Sequence, residues 1–217
     1  MPTIFSYRLE KEFYEQSNLP SLRSYSRLEP YLRVWLDPLA VFKGKRILEI
    51  GAGPALYSRM IAEQFAPRGM VALDLVQAQI AVNQEASGRA GVLSIVGDCF
   101  HLPFREKSFD VIFGSLILHR FRELEEVLKE IHRVLANDGL YVGIEPSLSN
   151  PIHLFRHCFS SHSPNEYLLN SFRVSRAFTR SSFTVDLCRL SPRFPWLHRL
   201  GLATCIGVWA KKRQSEV

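Results

Sequence analysis

Three carboxylates and two glycines stand at spacings that could hold a ligand: Glu49-x-Gly51-x-Gly53, then Asp74, then Asp98. Glycine lets the backbone turn tightly and approach a bound group closely. Carboxylates repel phosphate, so the set points to a ligand with an amine and a ribose diol. Two phosphate-cradling readings fail on spacing. The dinucleotide fingerprint needs G-x-G-x-x-G, and Leu56 stands where its third glycine belongs; no Gly-Lys-Ser/Thr follows, which excludes a P-loop. Two further residues could move protons, His119 and Glu145. An imidazole titrates near neutral pH and suits proton removal from a hydroxyl. The competing role for His119 is packing, and for Glu145, next to Pro146, it is helix capping. His153, His157 and His162 invite a metal reading, but no cysteine or acid completes a ligand set, and no metal is expected.

The elements that must position these residues can be read from the pattern. Residues 45–50 form a short apolar strand that runs into Gly51-Ala52-Gly53-Pro54, and a helix is predicted from about Ala55 to Phe65. Strands follow at 69–74, 91–96 and 109–114, with a helix at 77–86. Glu123 to Leu135 has apolar residues at the three-and-four spacing of one buried face. Asn137-Asp138-Gly139 reads as its stop signal, ahead of a fifth strand at 140–144. Strands that are apolar throughout are covered on both faces, and strand–helix alternation predicts an open, parallel, doubly wound α/β sheet. Glu49, Asp74 and Asp98 then lie at the carboxyl ends of its strands, where such sheets bind ligands. Residues 182–190 and 202–210 read as two last strands joined without a crossover helix, hence antiparallel. That makes seven strands, mostly parallel. Residues 1–43 read as an N-terminal helical cap on a domain over 44–217, with a helical and loop insert at about 146–180.

The composition agrees with one folded domain: 217 residues, 47% hydrophobic and 22% charged. No run of 18 apolar residues occurs, which excludes a spanning helix, and no secretory signal is visible, so a cytoplasmic location is expected. The four cysteines, 99, 158, 188 and 205, show no CxxC pairing and read as reduced thiols. Charge is uneven. Residues 1–150 carry 17 Lys+Arg against 18 Asp+Glu, and residues 151–217 carry 10 against 3. The basic third is either a solvated face or an attraction for an anionic or lipid-linked partner. Its cations are scattered, which disfavours nucleic acid.

At this point the chain resembles the class I S-adenosylmethionine-dependent methyltransferases, type 11 group. The residues that carry the resemblance are LEIGAG (48–53), ALD (72–74), GDCFHLPF (97–104), SFDVIFGSLILH (108–119) and EIHRVLANDG (130–139). It implies the Rossmann-like methyltransferase fold, S-adenosylmethionine as cofactor and S-adenosylhomocysteine as product. It also implies roles: Glu49, Gly51, Ala52 and Gly53 at the methionine end, Asp74 on the ribose hydroxyls, and Leu75 on the adenine. Asp98, with the Cys99 backbone beside it, would meet the adenine amine, and Ser115 and Leu116 would line the reactive end. The family's third glycine is Ala55 here, and its small size implies little harm to the turn.

His119 and Glu145 are then the base candidates near the transferred methyl. No D/N-P-P-Y/F follows the fourth strand and no Pro-Cys nucleophile occurs, which excludes the base-amino and cytosine-C5 methylases. The acceptor expected is a small molecule, covered by Tyr14, Tyr25, His153, Phe155 and Tyr167, unless these aromatics are core. O-methylation of a secondary metabolite or sugar is the leading expectation. C-methylation of a quinone-like, isoprenoid-like or lipid-linked acceptor stands beside it, and so does a non-catalytic cofactor-binding scaffold. The expected assembly is a monomer or homodimer.

Overall fold

The computed structural model describes residues 41–82, 84–147, 167, 169–190 and 205–213. The helical cap before Val41, Tyr14, Tyr25, His153, Phe155 and the three histidines of the insert lie outside them. The described elements are β1 (Arg46–Ile50), α1 (Leu56–Phe65), β2 (Gly69–Asp74), α2 (Gln77–Val82), α3 (Gln84–Arg89), β3 (Val92–Val96) and β4 (Phe109–Ser115). They continue with a 3-10 turn (Leu118–Arg120), α4 (Leu124–Val134), β5 (Leu135–Pro146), α5 (Ser171–Arg180), β6 (Phe183–Leu190) and β7 (Cys205–Lys212).

The seven strands form one sheet in the order β3-β2-β1-β4-β5-β7-β6. The first five are parallel, and β7 lies antiparallel between β5 and β6. The pattern predicts such a doubly wound sheet, and its order is that of the Rossmann-like methyltransferase fold the resemblance implies. β1 explains the apolar reading: Ile47, Leu48 and Ile50 have no exposed surface. Alternate side chains enter two cores. Ile47 joins a cluster with Tyr57, Met60 and Ile61 of α1, and with Phe113 and Val142. Leu48 and Ile50 face the other, with Leu128 and Ile131 of α4 and Phe178 of α5. Each such side chain contributes about 1.5–3 kcal/mol on burial. From β1 the chain crosses toward β2, and from β4 it crosses toward β5. The strand order therefore reverses between β1 and β4, opening a crevice at their carboxyl ends.

Two expectations need correction. Asn137-Asp138-Gly139 does not end α4. The helix stops at Val134 and Leu135 is already extended (φ −72°, ψ 139°), paired with Phe109 across the sheet. The buried Leu135 holds that turn, and the cap comes from far along the chain: Lys212 Nζ donates to the carbonyls of His132 (2.7 Å) and Leu135 (2.8 Å). A cation there also complements the negative end of the helix dipole. The second concerns Ala55. Its φ is +56°, in the left-handed region that favours glycine, so backbone conformation rather than size is the issue. The strain of about 1–2 kcal/mol is offset by burial of its methyl group, about 0.8 kcal/mol, and by a less flexible unfolded chain than glycine gives, about 0.4–1 kcal/mol.

Candidate active site

The glycine turn leaves β1 with Gly51 at φ +64° and Gly53 at φ +52°. Gly51 has a second reason to lack a side chain: a Cβ there would lie 2.5 Å from Ile117 Cδ1. The turn is tied to the end of β2 by Ala52 N–H to Leu73 O (3.0 Å) and by Gly53 N–H to Asp74 Oδ2 (2.7 Å). Asp74 Oδ1 accepts from Val76 N–H at 2.9 Å. Burial nonetheless raises the Asp74 pKa, against the lowering effect of these backbone donors.

Glu49 is buried on the α1 side of the sheet, 1% exposed. Its Oε2 accepts from Ser58 N–H (2.8 Å) and Ser58 Oγ–H (2.5 Å). Ser58 is the third residue of α1, and Ala55 at the helix start has no side chain that could cap. Glu49 thus supplies from β1 the N-terminal cap that the local sequence lacks. Desolvation pushes its pKa up to about 8, over the opposing Ser58 hydrogen bonds, and the neighbouring Asp74 adds to the rise.

Asp98 lies at the same end of the sheet, two residues past Val96, which pairs with Asp74. Its Oδ1 accepts from Phe100 N–H (2.9 Å), and Oδ2 is 3.5 Å from His101 Nδ1. The carboxylate shapes its own turn while remaining partly exposed. Leu75 beside Asp74 is half-buried, and the Cys99 side chain belongs to the core. The loop after Asp98 is clamped from α4, a connection the linear sequence does not reveal. Arg133 donates to the Leu102 and Phe104 carbonyls (2.9 and 2.7 Å), and Glu130 accepts from Leu102 N–H (2.9 Å). Two separated runs of the resemblance, 97–104 and 130–139, are thus one physical unit.

β4 ends at Ser115, half-buried with Oγ unpaired, and the chain then turns through Leu116 at φ +56°. Glu145, at 0% exposure, fixes this turn. Its Oε1 accepts from Ile117 N–H (3.1 Å) and Leu118 N–H (2.8 Å). Its Oε2 accepts from His119 N–H (3.2 Å) and meets His119 Nδ1 at 2.8 Å. With both oxygens engaged, Glu145 holds the turn and the imidazole in place. A carboxylate only accepts, so Nδ1 is the donor of this contact. The two residues expected separately as bases form one pair.

Tyr167 is brought to this place: its N–H donates to the His119 carbonyl at 2.8 Å. Arg173 lies over the Tyr167 ring, 5.9 Å from the centroid, and donates to the Arg122 carbonyl at 3.0 Å. Phe100 and Phe121 pack edge to face nearby in sequence, their centroids 5.4 Å apart. Below the turn, Gly114 and Gly143 are register partners, and the Tyr141 ring fills the notch between them. Tyr141 is fully buried with its hydroxyl unpaired, and burial raises its pKa well above the usual phenol value.

Among the described residues, no three His, Cys, Asp or Glu side chains cluster as a metal site, and no helix is long and apolar enough to cross a membrane. The residues present fit S-adenosylmethionine. The glycine turn offers bare backbone, Asp74 offers an acceptor for a diol, and the buried Gln79 carboxamide at the same turn has neither polar atom satisfied.

The sheet has the strand order of the Rossmann-like methyltransferase fold, with the glycine turn and the acidic strand ends together at its carboxyl edge. Residues 48–143, somewhat under half of the chain, match the family described as a methyltransferase domain. The chain is 35% identical over 138 residues to the demethylmenaquinone methyltransferase of Geobacillus kaustophilus, covering 62% of this chain and 58% of that one. It is 28% identical over 141 residues to phthiotriol/phenolphthiotriol dimycocerosates methyltransferase 1 of Mycobacterium ulcerans, covering 64% and 49%. The match thus spans about half the length of these curated relatives. Among solved structures, an S-adenosylmethionine-dependent methyltransferase from Mesorhizobium loti superposes with a TM-score of 0.69 at 19% identity, covering 85% of this chain and 97% of that one.

Proposed function

We propose that this chain transfers a methyl group from S-adenosylmethionine to an apolar small-molecule acceptor of quinol or lipid type, without a metal ion. The observation that carries the reading is the His119–Glu145 pair at the carboxyl end of β4, next to the crevice bordered by the glycine turn and Asp74. When bound, the cofactor supplies an electrophilic methyl on a sulfonium.

The protein's part is to bind, orient and handle one proton. The glycine turn and Glu49 border the amino-acid end, Asp74 takes the ribose hydroxyls in charge-assisted hydrogen bonds, and Leu75 and Asp98 flank the adenine. Ser115 and Leu116 line the reactive end. His119 Nε2 accepts the proton from the acceptor's hydroxyl, and Glu145 steadies the imidazolium that forms. A positioned base of this kind contributes about 10²–10⁴-fold. A deprotonated phenol or quinol attacks the methyl through oxygen, or through a ring carbon that then loses its C–H proton as the hydroxyl is restored, so one arrangement serves both O- and C-methylation, with S-adenosylhomocysteine leaving in each. The similarity to quinone and lipid methyltransferases favours an apolar acceptor over a sugar, as does Tyr167, joined to the His119 carbonyl.

Calorimetry with S-adenosylhomocysteine tests the binding half. Transfer of a deuterated methyl group to a reduced naphthoquinol, a phenolic lipid and a polar catechol tests the other. Mass gain on the apolar acceptors, abolished in His119→Ala, is expected. Binding of S-adenosylhomocysteine without transfer to any acceptor would leave the scaffold reading standing, no binding would overturn the cofactor assignment, and turnover of the catechol alone would overturn the apolar assignment.

A further inference from the structure

We infer that the Gln79 carboxamide is an additional cofactor-holding group, hydrogen-bonded to the ribose hydroxyls beside Asp74. The inference rests on reading the crevice as an S-adenosylmethionine site. Gln79 lies in the first turn of α2, on the segment that follows Asp74. It is 3% exposed, yet neither Nε2 nor Oε1 has a hydrogen-bond partner. Oε1 stands 3.7 Å from where a Cβ on Gly53 would lie. The N–H of that same glycine donates to Asp74 Oδ2. Amide and carboxylate therefore flank one turn.

A buried amide with no partner is unfavourable, and an apolar side chain of equal volume would fill the space without that cost. The chemistry of the amide also selects its ligand. It offers one donating and one accepting end, and each hydroxyl of a ribose diol needs both. Asp74 can only accept. It takes the proton of one hydroxyl, while Nε2 can donate to a hydroxyl oxygen and Oε1 can accept the proton of the other. A phosphate would use Nε2 alone, and an ammonium Oε1 alone.

The test compares the full chain with Gln79→Leu and Gln79→Met. Calorimetry measures binding of S-adenosylhomocysteine and of 5′-methylthioadenosine, which has the ribose but no amino-acid end. Thermal unfolding is followed without ligand. The expected result is about tenfold weaker binding of both ligands, together with a higher melting temperature, because two unsatisfied polar atoms are gone. Unchanged affinities would overturn the inference. A loss confined to S-adenosylhomocysteine would overturn it by assigning the amide to the amino-acid end. A lower melting temperature in both variants would show a structural role and overturn it too. If the unaltered chain binds neither ligand, the reading of the site falls, and this inference with it.

Discussion

Replacing Glu49 by Gln separates the two demands on this residue. The carboxyl is buried at the head of α1 and its pKa is pushed up to about 8, against about 4.3 in an unfolded chain. Between those values the folded state holds a proton that the unfolded state has released, so stability falls as pH rises. It is fully present below about pH 4 and lost progressively toward pH 8. From pH 5 to pH 7 the loss works out at about 2.6 kcal/mol, at roughly 1.4 kcal/mol per pH unit for nearly one proton. The glutamine keeps an acceptor oxygen for Ser58 and cannot titrate. Urea unfolding of both proteins at pH 5, 6 and 7 should therefore give curves that diverge, with Glu49→Gln nearly level and the unaltered chain declining. A stability difference that stays constant across this range would mean that Glu49 is ionised in the fold. The Ser58 donors and helix dipole would then outweigh desolvation, and the reasoning would be wrong.

Glu145→Gln should lower stability by about 3 kcal/mol, since an amide NH2 is forced toward three backbone N–H groups and an imidazole. It should also reduce kcat while leaving the affinity for S-adenosylhomocysteine within about threefold, whereas an unchanged pH profile of kcat would argue against its hold on His119. Tyr141→Phe should stabilise the fold by about 1 kcal/mol by removing an unpaired buried hydroxyl, read from the urea midpoint. Gly114→Ala should destabilise it by about 1–3 kcal/mol, because the new Cβ would lie 2.6 Å from the Tyr141 hydroxyl oxygen. Combining the two should recover only part of that loss, because Ile117 Cγ2 would still lie 2.9 Å from the new Cβ. Lys212→Met should cost about 1–2 kcal/mol through the freed carbonyls of α4 and leave ligand affinity untouched.

The strands and the acidic strand ends were legible because a fully covered parallel strand announces itself as an apolar run, and Gly, Asp and Asn punctuate it. Glu49, Asp74 and Asp98 could be placed from that alone. What could not be read depends on register and long-range approach. Nothing near Ala55 says that its helix is capped from β1, and nothing near Val134 says that Lys212 ends α4. That the two base candidates pair follows from β4 and β5 lying side by side, with Ser115 opposite Ile144. α5 falls within the expected helical and loop insert, and its apolar stripe of Val174, Ala177 and Phe178 is too short to fix its bounds from the sequence.

The position of β7 bears on how the sheet closes. It enters between β5 and β6, and its Lys212 ammonium reaches back to α4. Until it docks, β6 has no neighbour in the sheet and β5 has an open edge. That half of the molecule therefore waits on contacts distant in sequence, the slow kind to form. Nascent chains of this protein should pass through a state with two unpaired, apolar strand edges, the stage at which self-association competes with folding.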